Sequence, residues 1–460
     1  MSGRLLSLLP LAAGLVVPAA AEAADAGRVA VVRTTETDFG IREDYTYTVV
    51  RLRYSGTRAA SDLSVHFAKR GRVTLVDRGG VRAGKGCRQV GPDRARCRVR
   101  RGNANTIWGP SVDLRGGDDA VRLRGRARGG ETTIFGGRGD DRIAGSAGPD
   151  WIAPGAGADR VTGRGGADEL RGEGPDSGAD DLWGGWGHDA LTYAQRSTPV
   201  HVDLEDDADD GAAGEGDLVR PDIESITTGS GADELVGDPR RNILDGGSDG
   251  ADVVRGGDGD DYLRVHGASS RLEGGAGDDV LWSNKPGTFD GGAGHDHVHA
   301  GGDDSTVGAD DGEADEVRCI SPVGTTAVAD GLDIVLGCAS IARSGVPGPR
   351  FLFGLEQYSD PVRPYVWRGI ALYGRDLSAY VACSSDMPAP CVARVVLRDR
   401  DGTIFDKTVT VEPGSFAAVS RRVSRRNRTG LKARRYTLRL EGTDAAGAPV
   451  VIEERDLRAD

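Results

Sequence analysis

The chain has 460 residues, with 71 glycines and 71 aspartates and glutamates against 58 lysines and arginines, and only 5% of it is aromatic. This length allows two to four domains, and the net charge of −13 argues against nucleic acid as a partner. Most of the acid lies in residues 111–345, which hold 48 acidic and 20 basic residues between two basic ends. Such a glycine-rich, acidic segment cannot offset its chain entropy by apolar burial alone, so a cation must complete its fold.

The first 24 residues have the features of a secretory leader, a signal peptide. Arg4 supplies a positive end, residues 5–17 form an apolar stretch, and residues 21–23 (Ala-Glu-Ala) form a small-x-small cleavage site. The apolar stretch is short for a membrane span, and no other segment is a better candidate. We therefore predict a secreted, extracellular chain with no transmembrane segment after leader removal; an uncleaved anchor is the alternative.

Alternating apolar and polar residues predict strands on both sides of the acidic segment. Residues 25–110 show this alternation, for example at 45–54, and we predict a β-rich N-terminal domain that caps the acidic segment. Residues 346–460 return to strand-like runs such as 392–398, which predict a β-sandwich-like domain. The Pro-Gly-Pro sequence at residues 347–349 is suited to a linker between the acidic segment and this domain.

Six cysteines fall into three pairs of near neighbours along the sequence: Cys87 with Cys97, Cys319 with Cys338, and Cys383 with Cys391. An even number, closely paired in an exported chain, predicts three local disulfides, although sequence alone does not fix their connectivity. Zinc is the rival explanation. No CxxC or HxxxH spacing stands near these cysteines, which disfavours zinc.

A nine-residue repeat organises the acidic segment. Its clearest copy is GGRGDDRIA at residues 136–144, and three further copies follow without a break at 145–153, 154–162 and 163–171. A repeat this glycine-rich is unsuited to a helix and too long for one strand, so each copy is a turn followed by a short strand. We divide the region into a first array (111–192), an interruption (193–227) that contains a predicted strand and an acidic loop, and a second array (228–345).

Within each copy, we expect glycines at places one, two and four to adopt positive φ in a tight turn. The last three places form a minimal strand whose alternation directs only the eighth residue inward. The predicted core is therefore the set of eighth-place residues: Ile134, Ile143, Ile152, Val161, Leu170, Leu182, Leu191, Leu235, Leu244, Val254, Leu263, Leu272, Leu281, Val298 and Val307.

Each turn reverses the chain, so two copies, about 18 residues, make one coil and every second copy stacks on the same edge. The sixth-place residues then form two columns in the first array: Asp141, Asp159 and Asp180 on one edge, and Asp150, Asp168 and Asp189 on the other. Carboxylates stacked at the strand spacing of about 4.8 Å repel each other unless a cation lies between them. Oxygen ligands from flexible turns favour Ca²⁺ over zinc or copper, with Mg²⁺ a weaker alternative because it requires a stricter octahedron.

The second array is uneven. One edge carries Asn242, Asp261, Asp279 and Asp296, whereas the other carries Asp233, Asp252, Ser270 and Ser305. We predict that calcium lines mainly the first of these edges, while both edges bind calcium in the first array. The alternative for Asp233 and Asp252 is a purely structural role in the turns.

The repeat GGxGxDx-aliphatic-x resembles that of the RTX (repeats-in-toxin) haemolysin-type calcium-binding family, and the resemblance covers about 180 residues. It implies a parallel β-roll in which several calcium ions lie between successive turns, held by the sixth-place aspartates and backbone carbonyls. It also implies an extracellular setting. Two features depart from the family pattern: the predicted cleavable leader, which bears on the export route, and the loss of glycine or aspartate in several copies, which bears on how many calcium sites fill.

Three other patterns suggest chemistry. Residues 246–250 match the GxSxG nucleophile elbow, but they lie inside a repeat turn rather than between a strand and a helix. The HxHxH stretch of His295, His297 and His299 could hold a transition metal, although solvated outer-face residues are the more common case. The basic stretches at 94–101 and 421–435 are explained better by solvated arginine faces than by nucleic-acid binding.

The sequence thus predicts an all-β protein: a parallel β-roll (β-helix solenoid) flanked by a β-rich N-terminal cap and a C-terminal β-sandwich-like domain. Its predicted function is secreted calcium binding, with folding coupled to the ion and no catalytic residues. The alternatives are a calcium-stabilised extracellular hydrolase, or a surface adhesin whose C-terminal domain binds a cell-wall polymer or another surface protein.

Overall fold

A computed structural model describes most of the chain. The described residues are 26–39, 44–99, 106–127, 130–172, 178–205, 208–321, 323–344, 351–353, 371–373, 376–385, 387, 390–399, 402–422, 436–443 and 449–457. The leader predicted for residues 1–24 and the linker predicted for 347–349 lie outside them. Within the described part of the chain, no helix has the length and apolar character needed to cross a bilayer.

The regular structure of the described residues is almost entirely β, with one 3₁₀ turn at Lys69–Gly71. The N-terminal strands are β1 Gly27–Phe39, β2 Asp44–Ser55, β3 Asp62–Ala68, β4 Arg72–Asp77, β5 Val81–Ala83, β6 Cys87–Gly91, β7 Arg94–Arg98, β8 Thr106–Trp108 and β9 Ser111–Asp113. The C-terminal strands are β35 Phe351–Phe353, β36 Ala371–Tyr373, β37 Asp376–Cys383, β38 Cys391–Asp399, β39 Gly402–Val411, β40 Ser415–Arg422, β41 Tyr436–Thr443 and β42 Pro449–Leu457.

Between these two groups lie 25 short strands. They are β10 Ala120–Arg124, β11 Thr132–Arg138, β12 Arg142–Ala144, β13 Asp150–Ala156, β14 Arg160–Gly166, β15 Glu169–Arg171, β16 Asp181–Gly187, β17 Ala190–Thr192, β18 Val200–Asp203, β19 Gly211–Ala212, β20 Leu218–Val219, β21 Ser225–Thr227, β22 Glu234–Val236, β23 Ile243–Asp245, β24 Val253–Asp258, β25 Tyr262–Val265, β26 Ser270–Ala276, β27 Val280–Ser283, β28 Gly287–Ala293, β29 His297–Ala300, β30 Thr306–Ala309, β31 Glu316–Cys319, β32 Thr326–Ala329, β33 Ile334–Leu336 and β34 Ser340–Arg343.

The short strands form a parallel β-solenoid. One long sheet, the first sheet, runs through every coil from β9 to β33, whereas the facing side is divided into a second sheet (β10 to β20) and a third sheet (β18 to β34). Ile134 pairs with Ile152, and Ile143 pairs with Val161, so the chain returns to the same column after 18 residues. The predicted fold class and the two-copy coil are confirmed.

The core of the solenoid is the predicted column of eighth-place residues. All fifteen of these aliphatic side chains are at most 2% exposed, because the single inward position of each three-residue strand faces the opposite sheet. Removal of this apolar surface from water contributes about 1.5–3 kcal/mol for each fully buried side chain.

The N-terminal strands extend the solenoid rather than packing beside it. Strand β9 is paired in parallel with β2, and β10 is paired in parallel with β3, so strands from this region continue both the first and the second sheet. The buried core is continuous from Val29 to Val335. The first coil therefore has no open sheet edge facing solvent at this end, as a stable solenoid requires.

The interruption divides the facing side of the solenoid without breaking the first sheet. Strand β20 ends the second sheet by pairing with β16, and β18 begins the third sheet by pairing in parallel with β22. The first sheet continues from β17 directly to β21. The predicted strand at the start of the interruption is present as Val200–Asp203, with Val200 and Val202 buried.

The C-terminal strands form two four-stranded antiparallel sheets that share one core, as predicted for a sandwich-like domain. This domain contacts the last coil: the amide of Ser385 donates to the carbonyl of Val335 (2.7 Å), and the amide of Gly337 donates to Ser385 Oγ (2.8 Å).

All three predicted disulfides are formed, Cys87–Cys97, Cys319–Cys338 and Cys383–Cys391.

Candidate metal centre

Every sixth-place residue predicted as a ligand is buried at an edge of the solenoid. Their exposed fractions are at most 2%: Asp141, Asp150, Asp159, Asp168, Asp180, Asp189, Asp233, Asn242, Asp252, Asp261, Asp279 and Asp296. Burial of so many carboxylates is unusual, because moving an ionised carboxylate out of water is costly unless a partner compensates it.

One oxygen of most of these carboxylates accepts a hydrogen bond from a neighbouring coil, whereas Asp150 Oδ2 accepts from the amide of Ser146 in its own copy. The amide of Asp141 donates to Asp159 Oδ1 (2.7 Å), and the amide of Asp159 donates to Asp180 Oδ1 (2.9 Å). The same contact joins Asp261 to Asp279 (2.8 Å) on the first sheet. Sixth-place residues therefore form ladders in which each amide donates to the carboxylate one coil further on.

In most of these aspartates the second carboxylate oxygen has no hydrogen-bond partner. Among the described residues, this orphaned, buried atom is Oδ1 of Asp150 and Oδ2 of Asp119, Asp141, Asp159, Asp168, Asp189, Asp233, Asp252, Asp261, Asp279, Asp296 and Asp315. A buried acceptor without a donor costs about 1–3 kcal/mol, more when it is charged. A column of such acceptors is the donor set that a hard cation satisfies.

The first-place glycines lie directly against these oxygens. A Cβ at Gly256 would collide with the orphaned Asp261 Oδ2 and with the carbonyl oxygen of Gly274, so no other residue fits without displacing them. The same pairing of a sixth-place side-chain oxygen with a first-place carbonyl recurs at Gly274, which lies against Asp279 Oδ2 and the carbonyl of Gly291. Carboxylate and carbonyl oxygens that converge on a side-chain-free space are suited to calcium.

The expectation that glycines at places one, two and four all adopt positive φ is wrong for place one. In the copy at 136–144, Gly137 (φ 116°) and Gly139 (φ 113°) have positive φ, whereas Gly136 does not. Gly136 is required for space, because a Cβ there would collide with the Pro154 carbonyl and Asp141 Oδ2. The glycines at places two and four provide the positive φ that the turn needs, and the glycine at place one avoids a collision with the carboxylate.

Burial raises the pKa of the ladder aspartates. Loss of hydration is the largest cause at Asp141, whose pKa rises to about 7; the backbone hydrogen bond from Asp119 lowers it, and the charge of Asp159 raises it further. The same causes raise the pKa of Asp279 to about 8. Two carboxylates about 4.8 Å apart repel by roughly 3–4 kcal/mol at an effective dielectric constant of about 20.

The ladders are longer than the sequence indicated. The first ladder lies on the first sheet and has two parts, joined across the interruption by the backbone pairing of β21 with β23: Asp150, Asp168, Asp189 and Glu224, and then Asn242, Asp261, Asp279, Asp296, Asp315 and Asp333. The second ladder, on the second sheet, runs through Asp119, Asp141, Asp159, Asp180 and Asp217. Five of these residues were not predicted from the sequence: Asp119, Asp217, Glu224, Asp315 and Asp333.

A signal for the missed residues exists in the sequence. Each is an acidic residue followed two positions later by a buried aliphatic, as in Asp315 with Val317 and Glu224 with Ile226. Their glycines are incomplete or irregularly spaced, so a search anchored on the glycine turn passes over them. The acid-x-aliphatic triplet is the better signature, because it contains both the ligand and the core residue.

The third ladder, on the third sheet, begins with Asp233 and Asp252 and then loses its carboxylates. Ser270 Oγ accepts from the amide of Asp252 (3.0 Å) and donates to the carbonyl of Gly267 (3.1 Å). Ser305 Oγ donates in the same way to Gly301 (2.8 Å). A hydroxyl satisfied on both sides leaves no charge to neutralise at Ser270, whereas Asp233 and Asp252 keep an orphaned oxygen each. Calcium mainly on the opposite edge stays a prediction.

Asn242 differs from the aspartates of its ladder. Its side-chain oxygen accepts from the amide of Asp238 (2.9 Å), and its amide nitrogen lies 3.4 Å from Asp238 Oδ1. These contacts close the turn without an ion. Asn242 therefore supplies a neutral oxygen at a position that interrupts the column of charges.

The GxSxG match lacks the strand-to-helix context of a nucleophile elbow, and two histidines of the HxHxH stretch lie on an outer strand face. Residues 246–250 form the turn between β23 and β24, where the amide of Ser248 donates to the carbonyl of Gly229 (2.9 Å), and a strand follows instead of a helix. His297 and His299 share the outer face of β29, with Val298 buried between them. His299 packs edge-on against Trp282, and its burial lowers its pKa to about 4.

The repeats match a known family model. The model for the RTX calcium-binding nonapeptide repeat (4 copies) matches residues 128–161, 135–170, 176–192, 227–263, 247–268 and 266–285. No curated protein matches the chain. Among solved structures, the extracellular lipase LipA from Serratia marcescens is similar at 20% identity over 51% of this chain, with a TM-score of 0.18. The chain spans 38% of the length of that lipase.

Because the carboxyl pKa values are raised in the fold, we predict that low pH stabilises the roll when calcium is absent. A carboxyl whose pKa is higher in the folded than in the unfolded chain stabilises the fold below its unfolded pKa, and this contribution is lost as pH rises through the folded pKa. Asp150 and Asp261 have folded pKa values of about 6 and about 7. In the presence of a chelator, the β-sheet signal in circular dichroism should therefore fall as the pH rises from 5 to 8. With saturating calcium this signal should stay constant. A chelated protein more structured at pH 8 than at pH 5 would contradict this.

Substitution of one aspartate of the first ladder should weaken calcium binding more than substitution of a nearby exposed aspartate. Asp279→Asn removes a charge from a buried, orphaned oxygen and should raise the calcium concentration at half-saturation about 3- to 10-fold. Asp258→Asn makes the same charge change on an exposed turn residue of the adjacent coil and should leave the midpoint unaltered. Calcium calorimetry on both variants measures the difference; equal effects would mean that net charge, and not the ladder, controls binding.

Proposed function

We propose, from the premise that residues 128–285 carry RTX calcium-binding nonapeptide repeats, that this chain is a secreted calcium-binding protein whose roll folds when the ion binds. The observation that carries the proposal is the orphaned carboxylate oxygen repeated coil after coil beside a glycine that keeps its space open. Calcium supplies the missing positive charge along each ladder. The Oδ2 atoms and the first-place carbonyls are the groups that would hold it.

Coupled folding follows from what each coil contains. A coil of about 18 residues buries two eighth-place aliphatic side chains, which by themselves offset little of the conformational entropy of that many residues. It also places two sixth-place residues, mostly aspartates, next to those of its neighbours. Without a cation, like-charge repulsion and desolvation oppose the stacking that would otherwise complete the hydrogen bonds. Ion binding removes both penalties, so the free energy of ion binding contributes directly to the free energy of folding.

An extracellular location supports such a mechanism. The predicted leader at residues 1–24 and the three disulfides are both typical of exported proteins. Extracellular modules bind calcium at about 0.1–1 mM, weakly enough to stay empty before export. The protein would then acquire its rod shape only after it leaves the cell.

We assign the roll a structural role and the C-terminal domain the contact with a partner, either a cell-wall polymer or another surface protein. The sandwich has its own core and is attached to the last coil at Val335, so a folded roll holds it in a fixed position. We propose no catalytic residue, since Ser248 lies in a repeat turn. Assays of the calcium-loaded chain with ester, glycoside and peptide substrates test this; turnover abolished by one point substitution would favour the hydrolase alternative.

A calcium titration of the full chain tests the proposal. Addition of calcium to chelated protein at pH 8 should produce β circular dichroism and a smaller radius of gyration by small-angle scattering, with a midpoint of about 0.1–1 mM. Magnesium at the same concentrations is the control and should act weakly, because it demands a stricter geometry. An unchanged spectrum and radius from chelator to saturating calcium would refute coupled folding.

A further inference from the structure

The interruption carries a cluster of a different chemical kind from the ladders. His201 and Asp203 on β18 and Asp209 in the following loop each offer one ligand atom, and these three atoms lie within 4.8 Å of one another. The ladders offer oxygen alone, whereas this cluster adds an imidazole nitrogen. We propose that it is a second metal site, specific for a divalent cation of the zinc class.

The strand fixes two of the three ligands. Val200 and Val202 point into the core, so the residues that alternate with them, His201 and Asp203, share the outer face of β18. The backbone of Asp203 is held by a hydrogen bond from its amide to Asp210 Oδ1 (2.8 Å). Asp203 Oδ1 accepts from the amide of Glu205 (3.1 Å), which leaves Oδ2 directed at the imidazole.

The spacing fits a shared ion. His201 Nε2 lies 3.3 Å from Asp203 Oδ2. Two ligands bound to one zinc at about 2.1 Å with tetrahedral angles are about 3.4 Å apart. Asp209 is exposed, and its carboxylate oxygen lies within 4.8 Å of the other two ligand atoms. Water would complete the coordination from the open side.

The surroundings orient the imidazole and favour a cation. The other ring nitrogen, Nδ1, faces Glu234 Oε2 at 3.6 Å across the β18–β22 pair, and Arg255 holds that carboxylate at 2.6 Å. A carboxylate behind the ligating histidine is a common feature of zinc sites, because it fixes the ring and the tautomer. In the described residues, neither Asp203 nor Asp209 has a lysine or arginine at ion-pair distance. A mixed nitrogen and oxygen set suits zinc better than calcium.

The position of the cluster gives the ion a role in the fold. Strands β18 and β19 pair antiparallel at the edge of the third sheet, and Asp209 lies two residues before β19. A metal held by His201, Asp203 and Asp209 would tie the loop between these two strands to β18. The ion would thus hold the antiparallel pair at the interruption, where the parallel pairing of the third sheet ends.

Zinc calorimetry on the untagged full chain in saturating calcium tests the proposal. We expect one zinc site in the wild type, weakened at least about tenfold in both His201→Gln and Asp203→Asn. His66→Gln is the matched control, since His66 is an exposed histidine on β3; it should bind zinc as the wild type does. Calcium binding and circular dichroism should be the same in all four proteins, which separates this site from the ladders.

Three outcomes would overturn the proposal. Unaltered zinc affinity in His201→Gln would mean that His201 and Asp203 form only an ordinary hydrogen-bonded pair. Loss of the site in His299→Gln instead would place it on β29. Displacement of zinc by a modest excess of calcium would make the cluster one more oxygen-type site. The calcium titration could show no coupled folding while zinc still binds. The zinc-site proposal would then stand, because the two measurements are independent.

Discussion

The burial of carboxylates at most of the sixth places governs the architecture of this protein. A typical ladder carboxylate accepts a hydrogen bond from the amide of the preceding coil through one oxygen and retains a second oxygen that no protein group satisfies, as at Asp141 and Asp279. The first oxygen aligns the coils at the strand spacing; the second creates the demand for a cation. Hydrogen bonding and charge therefore act in opposite directions on the same side chain until an ion is present. The glycine at place one avoids a collision with this second oxygen.

Continuity of the first ladder explains why the interruption is tolerated. Residues 193–227 replace a regular coil on one side of the solenoid, where the second sheet ends and the third begins. On the other side, the amide of Asp189 donates to Glu224 Oε2 (2.8 Å), so the column continues with a longer acidic side chain across the gap. The buried acid Asp217 serves the second ladder in the same way by accepting from Asp180 (3.0 Å). The acidic residues of the interruption thus continue both columns.

The ends of the solenoid are covered by different means. At the start, β2 and β3 continue the sheets, so the cap and the first coil share one core. At the finish, a separate sandwich contacts the last strand through Ser384 and Ser385, and Arg343 donates to the carbonyl of Asp333 (3.1 Å) at the final rung of the first ladder. A guanidinium beside the last carboxylate places a fixed positive charge where the column of ions would end.

The nine-residue period by itself determined the all-β class, the 18-residue coil, the inward aliphatic column and the edge positions of Asp141 to Asp296, since a strict period constrains every copy equally. The closeness of the cysteines in sequence indicated three local disulfides. Only the tertiary structure decided their connectivity, that the two arrays share one edge on the first sheet, that Glu224 and Asp217 belong to the ladders, and that His201 lies near Asp203 and Asp209. These contacts join residues whose spacing departs from the repeat, and the stacking of coils sets them. The function of place-one glycine was likewise hidden, because the atoms it avoids belong to its own aspartate and to a coil 18 residues away.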